Sequence, residues 1–183
     1  MTKSLDMGCG RNPRNPFGAE ELYGVDVATD LGPNVRQADL ATGPIPFDDD
    51  TFEFVSAYDF IEHIPRVVYL PHRRNSFVEF MNEVWRVLKM GGYFVSSTPC
   101  YPHQEAFMDP THVNIITEMT FRAYFDHVNR WGATYGFNGA FAILQHEMRG
   151  PHLFCIMQKV PVPPPKPEVA PPAVLTPLMQ PPA

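Results

Sequence analysis

This chain predicts an α/β fold, a mostly parallel seven-stranded sheet with helices packed against it. Three observations carry that expectation. Short β-like runs alternate with helical or loop segments from residue 1 to 160, the signature of parallel strands joined by crossovers. The first run ends in glycines, Leu5-Asp6-Met7-Gly8-Cys9-Gly10, where a backbone without Cβ atoms can bend sharply and let a ligand approach closely. Asp26 ends the second run, twenty residues after Asp6, the place from which a carboxylate grips ribose hydroxyls in nucleotide-binding sheets.

Strands are expected at Ser4 to Met7, Glu21 to Val27, Val35 to Ala38, Phe52 to Ser56, Tyr93 to Ser97, Ala140 to His146 and Leu153 to Lys159. The strongest helix is Ser76 to Lys89, with Phe77, Phe80, Met81, Val84, Val87 and Leu88 at helical spacing, a capping box from Ser76 and Glu79, and Gly91 as the stop. That stripe reads as core. A second helix is expected over Glu118 to Asn129. Only Ala28 to Asn34 separate the second and third strands, too few for a full crossover helix. The last two strands form an antiparallel pair with Glu147 to Pro151 as the hairpin loop.

Composition narrows the class. A chain of 183 residues with 44% hydrophobic residues supports one domain with a substantial core. Its formal charge of −6 and lack of a Lys/Arg block argue against nucleic acid as a partner. Cys9, Cys100 and Cys155 show no metal-like spacing and read as reduced thiols, and no segment reads as a secretion signal or membrane span. Cytoplasmic localisation is the expectation. Ten of the residues from 161 to 183 are proline, so this tail is set apart from the domain at 1 to 160 as extended or disordered. Pro163-Pro164-Pro165-Lys166-Pro167 is its candidate docking segment for a protein partner.

The glycine turn is shared by several nucleotide ligands, and the residues around it separate them. Pro13 stands where a dinucleotide fold wants its third glycine. A carboxylate at Asp6 repels a pyrophosphate and attracts the ammonium and sulfonium charges of S-adenosyl-L-methionine. A nicotinamide-dependent oxidoreductase is therefore disfavoured.

Asp6-x-Gly8-x-Gly10 resembles the first motif of class I S-adenosylmethionine-dependent methyltransferases, and the rest follows in that family's order. The resemblance implies a Rossmann-like sheet whose antiparallel strand lies near the C-terminus. It makes Asp26 the residue that holds the ribose hydroxyls and Asp39, followed by Leu40, the acceptor from the adenine amino group. Asp6, Gly8, Gly10 and Tyr58 complete the cofactor set. Phe60-Ile61-Glu62-His63-Ile64 is similar to the Glu-His segment of the small-molecule, type 11-like branch, and Glu83 to Tyr93 resembles the helix, turn and strand that follow. Asn12 departs from the family's third glycine, and the family's N-terminal helix is expected to be missing because the chain opens on the first strand.

Ligands in such sheets sit outside the carboxyl ends of the strands, so the segments after the first, fourth and fifth strands should face one another. They hold the candidate proton acceptors His112, His103 and His63, and the segment Asp109-Pro110-Thr111-His112, similar to a loop seen in small-molecule members. His103, Glu105, Asp109 and His112 could be read as metal ligands, but their spacing matches no strong pattern, so a metal-free site is expected. Ser56-Ala57-Tyr58-Asp59-Phe60 lacks the signature of DNA amino-methyltransferases, and Pro99-Cys100 follows the fifth strand where a cytosine-carbon enzyme needs it after the fourth. The acceptor implied is a small molecule or glycan. The rival expectation is a catalytically silent relative serving as a partner subunit.

Overall fold

The computed structural model describes residues 1–164. Most of the proline-rich tail expected from residue 161, including the end of its docking segment, lies outside the described residues.

Seven strands form one sheet: β1 (Lys3–Met7), β2 (Glu21–Asp26), β3 (Val35–Gln37), β4 (Phe52–Tyr58), and, after the small hairpin of β5 (Val68–Tyr69) and β6 (Arg73–Arg74), β7 (Leu88–Pro99), β8 (Phe141–Arg149) and β9 (His152–Lys159). Their order is β3-β2-β1-β4-β7-β9-β8. Pairing from β3 through β7 is parallel, and β9 lies antiparallel to both β7 and β8. This is the expected fold class.

Register assigns the two faces. Leu5, Val55, Phe94 and Met157 align across the sheet and are buried. Against that face packs α1 (Ser76–Val87), whose Phe77, Phe80, Met81, Val84 and Val87 are buried; each such side chain contributes roughly 1.5–3 kcal/mol of hydrophobic stabilisation. On the opposite face Phe17, from the segment after β1, stacks on Phe54 with ring centroids 4.4 Å apart. The described segments 8–20, 27–34 and 38–51 hold no helix; Phe17 brings irregular chain onto this face where a doubly wound sheet has helices, and segment 38–51 packs beside α1 through Ala41, Ile45 and Phe47. The short link between β2 and β3 agrees with the expectation.

Several local expectations are corrected. The N-cap of α1 is Asn75 and makes no side-chain capping bond. Ser76 donates its hydroxyl to the Ala41 carbonyl and Glu79 pairs with Arg74, so the expected capping box is spent on tertiary contacts. Gly91 is not the stop. The helix ends at Val87, and Leu88 already has extended backbone and pairs with Phe52. The second helix is only α2 (Met119–Tyr124), because Phe125 and His127 exchange backbone hydrogen bonds with Phe141 and leave the helical path. The β8–β9 loop shrinks to Gly150-Pro151, with Arg149 opposite His152. Gly150, at φ 60°, supplies the left-handed backbone that a two-residue hairpin requires.

Candidate functional site

The glycine loop follows directly from β1. Gly8 and Gly10 both have positive φ, 66° and 57°, which L side chains adopt at a cost. A Cβ on Gly8 would stand 2.3 Å from the Phe60 ring, whereas a Cβ on Gly10 would meet nothing within 4 Å. The Gly8 side of the turn is therefore packed against protein, and the Gly10 side is open. Asn12 is not among the residues with positive φ, so the loop does not require a third glycine there. Pro13 and Cys9 pack over Gly24, where a Cβ would stand 2.8 Å and 2.5 Å from them.

Asp6 lies beneath this loop, 1% exposed. Its Oδ2 accepts the Arg14 N–H at 2.7 Å and its Oδ1 accepts the Ser56 hydroxyl at 2.6 Å. Burial raises its pKa, and the two hydrogen bonds and the Arg14 charge act against that rise. Asp26 stands at the open side: Oδ2 accepts the Gly10 N–H at 2.7 Å and Oδ1 the Ala28 N–H at 2.9 Å. Each oxygen keeps a lone pair for a ligand hydroxyl. Asp39 is exposed and caps its own turn through Ala41 N–H and the Thr42 hydroxyl, while Leu40 is buried in the core. The Tyr58 ring carries the Arg14 guanidinium 5.0 Å from its centroid.

Sequence reasoning did not single out Arg14 or Gly24. A glycine inside a strand was the available signal for Gly24, since it marks close approach of other chain. Arg14 carries no such sign, because its role falls on a backbone N–H.

The second half of the site lies beyond β4 and β7. A single turn of 3-10 helix, Ile61–His63, presents Glu62 and His63. The loop from Asp109 to Asn114 is fastened to it by Val113 N–H and Asn114 N–H, both donating to the Glu62 carbonyl at 2.9 Å. His63 and His112 meet edge to face, ring centroids 4.9 Å apart. Glu62 is 1% exposed, and its Oε2 accepts the Thr98 hydroxyl at 2.7 Å. Burial raises its pKa, against the pull of its own backbone N–H and Thr98.

Two of the three expected proton acceptors, His63 and His112, are thus brought together. His103 is exposed and precedes the turn Gln104–Ala106. The residues His103, Glu105, Asp109 and His112, readable in the sequence as a ligand set but not expected to be one, also separate: His112 groups with Glu62 and His63, while Glu105 contributes only its carbonyl, to His112 Nδ1 at 3.0 Å. Cys100 is fully buried, as a wall residue should be. Burial and the neighbouring Asp6 and Asp26 carboxylates push the Cys9 thiol up to about 11, which keeps it protonated and unreactive at neutral pH.

The residues fit S-adenosylmethionine. The Cβ side of Gly10 is open, with nothing within 4 Å, and the Asp26 carboxylate beside it has free lone pairs for a ribose.

Comparison with known proteins agrees. A family model described as "Methyltransferase domain" matches residues 5–96, half of the chain. A search of curated proteins found no match. Among solved structures, a SAM-dependent methyltransferase from Archaeoglobus fulgidus is 18% identical, with 86% of each chain covered and a TM-score of 0.57. One from Aquifex aeolicus is 16% identical, covering 87% of this chain and 82% of that one, with a TM-score of 0.56. A chain in the complex that contains the Haloferax volcanii Trm112 methyltransferase activator is 14% identical, covering 87% and 83%, with a TM-score of 0.60. At these identities the solved structures establish the fold, and the family model carries the membership. No helix among the described residues is long and apolar enough to cross a membrane. The glycine loop, the acidic end of β2 and the matched family model together place this chain in the class I S-adenosylmethionine-dependent methyltransferase family, type 11-like, with S-adenosylmethionine as its cofactor.

Proposed function

We propose that this chain transfers a methyl group from S-adenosylmethionine to a small-molecule or glycan-like acceptor by in-line displacement. The carrying observation is the placement of Glu62, His63 and His112 beyond β4 and β7, on the same strand-end edge as the glycine loop and Asp26. When bound, the cofactor supplies a methyl carbon activated by positive sulfur, open to in-line displacement.

The residues of the chain position and desolvate. Asp26 holds the ribose hydroxyls, Asp39 and Leu40 border the adenine, and the open side of Gly10 admits the cofactor against the backbone. Asp6 acts from beneath, fixing the loop through Arg14 N–H, and Tyr58 walls the site. Such positioning supplies much of the rate in a displacement at an activated carbon. An acceptor hydroxyl also needs to lose its proton. His112 is the first choice for this, because its Nδ1 faces the Glu105 carbonyl, which in the neutral ring leaves the lone pair on Nε2. His63 is the second, and His103 the third because it stands apart.

Calorimetry with S-adenosylhomocysteine tests the cofactor half of the reading. Binding is expected, and its absence at about 1 mM ligand, some 4 kcal/mol of affinity, sinks the proposal. The acceptor half is tested by transfer of labelled methyl groups to a panel of hydroxylated small molecules and glycans.

A second reading, a catalytically silent partner subunit, draws on the relative whose structure contains a methyltransferase activator. Cofactor binding without transfer to any acceptor, together with a stable heteromeric partner, favours it.

A further inference from the structure

We propose that Glu62, His63 and His112 form a binding site for one divalent transition-metal ion of the zinc or ferrous class. One donor atom from each lies within 4.8 Å of the others. Two chain segments build the cluster, and the paired hydrogen bonds from Val113 and Asn114 to the Glu62 carbonyl hold them in register.

An independent observation points to a cation. Glu62 Oε1 belongs to a side chain only 1% exposed and has no hydrogen-bond partner among the described residues. A buried carboxylate oxygen left unpaired is costly. What it faces is His112 Nε2, 4.0 Å away.

In the neutral ring that nitrogen offers no proton. His112 Nδ1 lies 3.0 Å from the Glu105 carbonyl, which can only accept, so the hydrogen sits on Nδ1 and Nε2 carries a lone pair. His63 follows the same logic. Its Nδ1 lies 3.2 Å from the Thr111 carbonyl and 3.1 Å from Thr111 Oγ1. The Thr111 hydroxyl has already given its hydrogen to Asp109 Oδ1 at 2.6 Å. Both neighbours of Nδ1 are therefore acceptors, the hydrogen is on Nδ1, and Nε2 is the free donor to a metal. With both rings neutral, three lone-pair groups are thus gathered at one place.

The surroundings have the form of a metal site. Ligating histidines hand their second N–H to a carbonyl or carboxylate, which fixes tautomer and ring orientation, and ligating carboxylates are themselves hydrogen-bonded. Here the Thr111 and Glu105 carbonyls serve the histidines and the Thr98 hydroxyl serves Glu62 Oε2. Two imidazoles and one carboxylate suit zinc or ferrous ions and disfavour calcium and magnesium, which prefer oxygen. Two donors about 2.1 Å from a tetrahedral ion stand about 3.4 Å apart, so an ion draws together donors that now stand within 4.8 Å of one another, 4.0 Å for Glu62 and His112.

Three protein ligands leave coordination positions for water or an acceptor oxygen. With the ion bound, the histidine lone pairs are committed to it, so the proton-acceptor role proposed above belongs to the ion-free form. The site's existence does not depend on methyl transfer.

The test is a Co2+ titration of the full chain, purified without an affinity tag and followed by visible absorption. Saturation at one ion per chain is expected, with displacement by Zn2+. Glu62→Gln and His112→Gln should each weaken Co2+ by at least about tenfold, His63→Gln likewise, and His72→Ala, at an exposed residue outside the cluster, should change nothing. Circular dichroism confirms that each variant is folded, and the wild-type titration stands even if one is not. Absence of cobalt bands in the wild type at about 1 mM Co2+, or an affinity unchanged in both Glu62→Gln and His112→Gln, overturns the assignment in favour of a proton shared between the two side chains. S-adenosylhomocysteine calorimetry on the same sample reports the cofactor site separately.

Discussion

The backbone N–H of Gly10 donates to Oδ2 of Asp26 at 2.7 Å, joining the loop after β1 to the end of β2. The carboxylate that shapes the loop is also the one proposed to hold the ribose. Asp26→Ala should therefore weaken S-adenosylhomocysteine by roughly 10- to 100-fold, the loss of one or two hydrogen bonds to a charged group. Calorimetry measures it, and an affinity unchanged from wild type counts against the assignment.

The two glycines of the loop should respond differently to alanine. Gly8→Ala forces a side chain into left-handed backbone and against Phe60, a cost of roughly 1–3 kcal/mol in the urea unfolding midpoint. Gly10→Ala has the same backbone problem and no steric one, so its stability loss should be the smaller. Its new methyl group projects into the open side of the loop proposed to admit the cofactor, however, and cofactor affinity should fall more than in Gly8→Ala. Reversal of that order would show that the ligand approaches elsewhere.

Burial raises the pKa of Asp6 from 3.8, which has a stability consequence of definite sign. A carboxyl that binds its proton more tightly when folded contributes stability below its unfolded pKa. That contribution is lost as pH rises from the unfolded value through the raised folded one. Chemical denaturation at a series of pH values from about 4 upward should show wild type losing stability relative to Asp6→Asn over this window. A wild-type-minus-variant difference that is flat with pH would refute the raised pKa.

His112→Asn should lower methyl transfer by about 10²- to 10⁴-fold, the usual weight of a general base, while S-adenosylhomocysteine binding stays at wild-type strength. The His103→Asn effect should be much smaller, because His103 is exposed and apart from the cluster. Equal losses in the two variants would remove His112 from its first place.

Features set by neighbouring residues were legible in the chain. All seven sheet strands lie where apolar alternation and turn residues put them, and the stripe from Phe77 to Val87 is the buried face of α1. Errors gathered at element ends. Ser76 and Glu79 have the spacing of a capping box, yet the Ala41 carbonyl and Arg74 compete for them and win. Helical pattern continued past Tyr124, but backbone pairing with Phe141 ended α2 early. Ala41 and Phe141 are long-range partners and Arg74 lies just outside the helix; each overrode a local preference worth about 1 kcal/mol or less.

The sequence by itself determined the sheet, the glycine turn, the acid at the end of β2 and, through their order, the family. These depend on local periodicity and on backbone angles that glycine alone adopts freely. Only the tertiary structure decided which polar groups meet. It buried Asp6 under the Arg14 N–H, left His103 outside, and set Glu62 and His63 against His112, 49 residues from His63 along the chain by the span that also separates Arg66 from Ile115. Such meetings depend on how loops fold back across the strand ends, and a cost like that of the unpaired Glu62 oxygen exists only once water has been excluded.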